Sequence, residues 1–180
     1  MRFVPAVAAL AVLAPTSAFA VDYLTSEQAA RQLFPEAERF EERAWALDAA
    51  ALQKLAAMGV TPRSVRWTLR LAWRGSELLG VVVADAVIGK FELINYAVAI
   101  AADGRVRGIE ILSYRESHGH EIRLPAWRRQ FVGKAQGAAI SVGDDIANIS
   151  GATLSCSHVT EGVKRIVAVV ELARRMGQLT

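Results

Sequence analysis

The chain has 180 residues, 53% hydrophobic and 22% charged, which excludes a disordered or low-complexity protein and allows one sizeable core. Its formal charge of +3, from 21 basic and 18 acidic residues scattered along the chain, is too small to indicate a nucleic-acid partner. The single cysteine excludes an internal disulfide and any zinc site built on several thiolates.

A mean hydropathy of +0.25 is high for a soluble domain, and much of it sits at the front. Arg2 is a minimal positive region, 4–14 is an uncharged apolar run, Pro15 breaks it, and Ala18-Phe19-Ala20 has the small-x-small form of a cleavage site. The run is well short of the roughly 20 residues that span a bilayer. These features predict a signal peptide over 1–20, cut after Ala20, and a periplasmic or otherwise exported protein. The alternative is an uncleaved anchor.

Beyond it, 21–62 reads as an N-terminal extension and 63–180 as the core of a single domain. Thr25 to Gln28 forms a capping box for a short helix that Pro35 ends. Residues 38–47 set Phe40, Trp45 and Leu47 among charges, in the manner of an exposed strand. Asp48 is placed to cap a helix that stops at Gly59. From residue 64 the period becomes two. Val65, Trp67, Leu69, Leu71 and Trp73 alternate with Arg66, Thr68, Arg70 and Ala72. Gly75-Ser76, Gly89-Lys90 and Ala102-Asp103-Gly104 then punctuate three more apolar strands. Asp85, Lys90, Glu92 and Asn95 make buried strands a better reading of 80–101 than a membrane span. Trp67 and Trp73 belong to the core on this pattern. Trp45 and Trp127 suit either packing or the flanks of a docking surface.

A short helix follows at 125–131 with proline at its first position. In the last element Val159, Val163, Ile166, Val167, Val170 and Ala173 share one helical face, opposite Lys164, Arg165, Arg174 and Arg175. The fold class is therefore α+β: an antiparallel sheet packed with helices, ending in an amphipathic helix.

The chemistry concentrates just before that helix, in Asn148-Ile149-Ser150-Gly151-Ala152-Thr153-Leu154-Ser155. Gly151 permits close approach of a ligand to the backbone, and Ala152 leaves room beside it. The first N–H groups of a helix lack internal partners and favour an anion such as phosphate. On local physics alone, Ser150, Thr153 and Ser155 are more simply read as helix caps than as ligand contacts.

Ser150-Gly151-Ala152-Thr153, followed by Leu154-Ser155 and an amphipathic helix, resembles the FMN-binding domain family. That family includes the flavoprotein subunits of the sodium-pumping NADH:quinone oxidoreductase and of the related ion-pumping ferredoxin complex. Tyr114-Arg115-Glu116-Ser117-His118-Gly119-His120-Glu121 resembles the family's Glu-Thr-Pro-Gly segment, and Gln130-Phe131-x-Gly133-Lys134 its Phe-x-Gly-Lys stretch. The likeness covers 78–170, about half the chain.

The resemblance implies an exported flavoprotein with FMN phosphoester-linked to Thr153 by a dedicated flavin transferase. Ser150, Gly151, Ala152, Leu154 and Ser155 would line the phosphate. Glu116, Ser117, His118, Gly119 and Lys134 complete the implied cofactor-binding set, with His120 and Glu121 among the polar groups expected near the ring. The family's acidic residue six positions before the threonine is Ala147 here, with Asp144 and Asp145 just upstream. The implied task is electron transfer between periplasmic or membrane-bound redox partners, as a redox subunit rather than a stand-alone enzyme. Two other classes compete. One is a metal-binding module in which His118 and His120, with Glu121, His158 and Cys156, ligate zinc or copper. The other is an apo interaction protein of the same fold.

Overall fold

A computed structural model describes residues 21–180; the segment read as a signal peptide lies outside them. The elements in chain order are β1 (Val21–Asp22), α1 (Ser26–Leu33), β2 (Arg39–Ala46), α2 (Ala49–Ala57), β3 (Arg66–Arg74), β4 (Glu77–Ile88), β5 (Leu93–Ala101), β6 (Val106–Tyr114), α3 (Pro125–Arg128) and α4 (Thr153–Arg175). Single 3-10 turns at His120–Arg123 and Arg129–Phe131 flank α3.

The local signals act as their chemistry dictates. Thr25 Oγ1 accepts from the Gln28 N–H at 3.1 Å while Gln28 Oε1 accepts from the Thr25 N–H at 2.8 Å, closing the capping box of α1. Asp48 Oδ1 takes the Ala51 N–H at 2.7 Å and starts α2.

The strands form one antiparallel sheet of order β1-β6-β5-β4-β3-β2, a meander from β2 to β6 with β1 added along its edge. Helix α4 crosses one face against β4 and β5, and α2 packs on α4. The opposite face is covered by α1, against β5 and β6. On β5, Ile94, Tyr96, Val98 and Ile100 point to the α4 side, and Ala97 and Ala99 to the α1 side. A strand covered on both faces has no polar side, so 93–101 reads as a nearly continuous apolar run.

Several expectations change. Val65 precedes β3 and is exposed rather than part of the inward row. A bulge between Ala72 and Trp73 breaks the alternation: Ala72 is buried, and Trp73 lies half-buried with the Arg39 guanidinium 4.7 Å from its ring centroid. Trp45 and Trp127 are both core residues and flank no surface; Trp45 pairs directly with Trp67 across β2 and β3. The expected apolar face of α4 is buried, but so is every residue from 166 to 173, because α2 and the C-terminal tail cover its other side. Glu171 enters this buried stretch paired with Arg174 and Arg175 at 2.9 and 2.6 Å. Among the described residues, no helix is long and apolar enough to cross a membrane.

Candidate functional site

Helix α4 begins at Thr153 with Ala152 as its N-cap, and no side chain caps it. The first intrahelical bond runs from the Cys156 N–H to Ala152 O at 3.0 Å, so Thr153, Leu154 and Ser155 lie ahead of it with their N–H groups facing outward. This answers the capping alternative: Ser150, Thr153 and Ser155 make no cap bond. Instead Thr153 Oγ1 accepts from Asn148 Nδ2 at 3.2 Å, and Ser155 Oγ lies 3.1 Å from the Tyr114 hydroxyl.

The uncapped end opens on a cleft of about 370 Å³, lined by Lys90, Phe91, Glu116, Ser117, His118 and the run Gly151, Ala152, Thr153, Leu154 and Ser155. Three segments distant in sequence build it. The turn between β4 and β5 forms one wall, the loop after β6 forms another, and the first turn of α4 forms the floor.

Glu116 ties the first two walls together. Its carboxylate accepts from the N–H groups of Phe91 at 2.7 Å and Glu92 at 3.0 Å. Gly89 has no side chain to obstruct this, since a Cβ there would stand 2.4 Å from Oε1. Burial raises the Glu116 pKa, but the bonds from Glu92, Phe91 and Lys90 together with the Lys90 charge outweigh it. The net position is below the ordinary glutamate value. Glu116 is therefore an ionised clamp on the hairpin, with its Oε1 already engaged.

Gly119, at φ 88°, ties the loop to the helix: a Cβ there would stand 2.2 Å from the Ala152 Cβ and 2.6 Å from the Tyr114 hydroxyl. The Tyr114 hydroxyl also donates to the His118 carbonyl. Burial pushes its pKa up, which keeps it a protonated donor.

Of the sequence-derived set, Thr153, Gly151, Ala152, Leu154, Ser155, Glu116, Ser117 and His118 line the cleft. Gly119 lies just beneath it, and Ser150 stands one residue outside. Lys134 is elsewhere: its ammonium is paired with Asp145, whose carboxylate also accepts from the Ser141 N–H at 2.9 Å. Asp145, the acid nearest the position of Ala147, is thereby engaged. His120 stands edge-on to Tyr114 with ring centroids 5.2 Å apart, and neither it nor Glu121 lines the cleft. His158 Nδ1 lies 2.6 Å from the Ile88 carbonyl. Among the described residues, no three His, Cys, Asp or Glu side chains assemble into a group able to hold a metal ion.

Sequence reasoning missed Lys90 and Phe91, and missed Asn148 and Tyr114 as supports. One signal was present for Phe91: a large aromatic in a tight turn, where polar residues and glycine are usual. It is 71% exposed, with Lys90 Nζ 4.9 Å from its ring centroid.

The donor set suits a phosphate-bearing flavin. Outward N–H groups, hydroxyls and a lysine meet an anion at the helix end, while Phe91 and Leu154 offer apolar surface to a planar ring. A family model described as the FMN-binding domain matches residues 89–168, which contain every lining residue of this cleft. Among solved structures, the chain is similar to NqrC of Shewanella oneidensis, with TM-score 0.54 and 18% identity over 83% of this chain and 87% of that one. At that identity the likeness is one of fold. No curated protein matches the chain.

Proposed function

We propose, from the match of residues 89–168 to the FMN-binding domain family, that this chain is a flavoprotein that carries its FMN as a phosphoester of Thr153. The observation that carries this reading is the position of Thr153. Its hydroxyl stands at the first residue of an uncapped 23-residue helix, on the floor of the cleft. The N–H groups of 153–155 and Lys90 would hold the phosphate, and Ser117, His118, Phe91 and Leu154 would face the remainder of the cofactor.

When bound, the flavin supplies one- and two-electron chemistry. The chain's own residues do the rest. Glu116 fixes the hairpin wall, Tyr114 fixes the loop carbonyl of His118, and His118 presents an imidazole that can donate or accept a proton. Burial raises the Cys156 pKa, so that thiol stays protonated and takes no nucleophilic part.

The same reading makes the protein exported, cleaved after Ala20, loaded by a flavin transferase, and a carrier of electrons between redox protein partners. A covalent bond suits a compartment in which a released cofactor is lost. Co-expression with a flavin transferase should yield a chain starting at Val21 whose mass is increased by FMN less one water, and which stays yellow after denaturation. Thr153→Val should fold and carry no adduct; an adduct on that variant overturns the attachment.

A further inference from the structure

We propose that Asn148 orients the Thr153 hydroxyl for its reaction with the flavin phosphate, a role that rests on the attachment reading above. Asn148 Nδ2 donates to Thr153 Oγ1 at 3.2 Å. A helical threonine divides between two χ1 rotamers, and a fixed donor selects one. The contact also sets the polarity of the hydroxyl. The amide occupies one lone pair, so the other is left to form a bond and the proton points away, where a base can take it.

The strap carrying Asn148 is itself held. Trp127 Nε1 donates to the Ala147 carbonyl at 2.8 Å, and Gln130 Oε1 accepts from the Ala147 N–H at 2.8 Å. Gln130 Nε2 closes the unit by donating to the Trp127 carbonyl at 3.1 Å. Both main-chain groups of residue 147 are thus bonded to the segment that begins with α3. Residue 147 offers only a methyl group, so the polar contact from this strap to Thr153 is made by residue 148. Asn148 is exposed and buries nothing, which separates this contact from core packing. A short reach from a fixed strap to the first turn of a long helix is the arrangement that pre-pays orientation.

In the step concerned, Thr153 Oγ1 forms a bond to the flavin-side phosphorus of a flavin dinucleotide. The phosphoanhydride P–O bond breaks, and the nucleoside monophosphate leaves with the electron pair. The hydroxyl proton passes to a base of the transferase, and nothing is oxidised or reduced. Asn148 remains a donor throughout.

The test uses the full chain, purified flavin transferase and FAD, with adduct formation followed by intact mass. Asn148→Ala should lower kcat about tenfold, leave KM for this protein within about twofold, and leave the melting temperature unchanged. Gln130→Ala, which loosens the strap without touching Thr153, should lower kcat by a smaller factor. An Asn148→Ala protein loaded at the native kcat overturns the proposal. So does a raised KM at unchanged kcat, which makes Asn148 a recognition contact for the transferase. An adduct persisting on Thr153→Val is a different result: it removes the attachment itself, whatever Asn148 does.

Discussion

The Tyr96 hydroxyl occupies the space in which a side chain on Gly162 would sit; a Cβ there would lie 2.0 Å from that oxygen. Tyr96 is held in place by its bond to Asp85 Oδ2 at 3.0 Å, and Arg165 Nη1 lies 3.7 Å from the same oxygen. Burial, and then the Asp85 charge, raise the Tyr96 pKa far above the ordinary tyrosine range. A glycine inside α4 is thus a packing requirement. Gly162→Ala should destabilise the protein by about 1–3 kcal/mol, although alanine gains about 1 kcal/mol in helix propensity. Denaturant unfolding measures the sign, and Tyr96→Phe in the same chain should recover part of the loss.

Gly119 meets two constraints at once, positive φ and contact with Ala152. Gly119→Ala should cost about 2 kcal/mol or more. Because the loop after β6 then separates from the helix end, cofactor loading should fall along with thermal stability. Mass spectrometry and a melting curve check the two effects on one sample.

Glu116 links the cleft to pH. Its folded pKa lies below the ordinary value of 4.5, so its stabilising bonds are fully present above that value. They are lost as pH falls through the lower folded value, where the carboxylate is protonated. Glu116→Gln should flatten the stability curve in that acidic window. Glu116→Ala, leaving the Phe91 and Glu92 N–H groups without their acceptor, should cost about 1–3 kcal/mol at neutral pH. Urea midpoints measured against pH separate the two variants.

Phe91 is a surface residue by exposure and a wall of the cleft by position. Phe91→Ala should leave stability within about 0.5 kcal/mol. In the flavin-loaded chain it should lower the fluorescence anisotropy of the flavin, whose ring loses an apolar support. Unchanged anisotropy would remove Phe91 from the site.

Most of the fold was legible wherever the signal was local. The capping residues Thr25 and Asp48, the alternation through Trp67, Leu69 and Leu71, and the turn at 102–104 each act within a few residues of themselves. What escaped depends on distant partners. Strand β1 is two residues held by backbone pairing to Tyr114 and Ser113. Nothing in Val21-Asp22 announces that. The motif before α4 and the loop after β6 were visible because their residue types are unusual, and both line the cleft. Lys90 and Phe91 were not, because the hairpin joins the site only through the Glu116 carboxylate, 25 residues along the chain from Phe91. Lys134 lies outside the cleft for the converse reason. Its nearest anion is Asp145, and the pairing holds a neighbouring loop.

Helix α4 supplies the cleft floor with its first turn and the centre of the core with residues 166–173. One rod therefore couples the site to the most protected part of the molecule. Amide protons in its second half should exchange only through global unfolding, whereas those of 153–155, which have no intrahelical acceptor, should exchange without any opening of the helix. On the proposed attachment, an adduct at residue 153 would be anchored at the first residue of this helix. The attachment point would then be tied through one continuous helix to the buried residues 166–173, which would hold the cofactor at a fixed distance from the core.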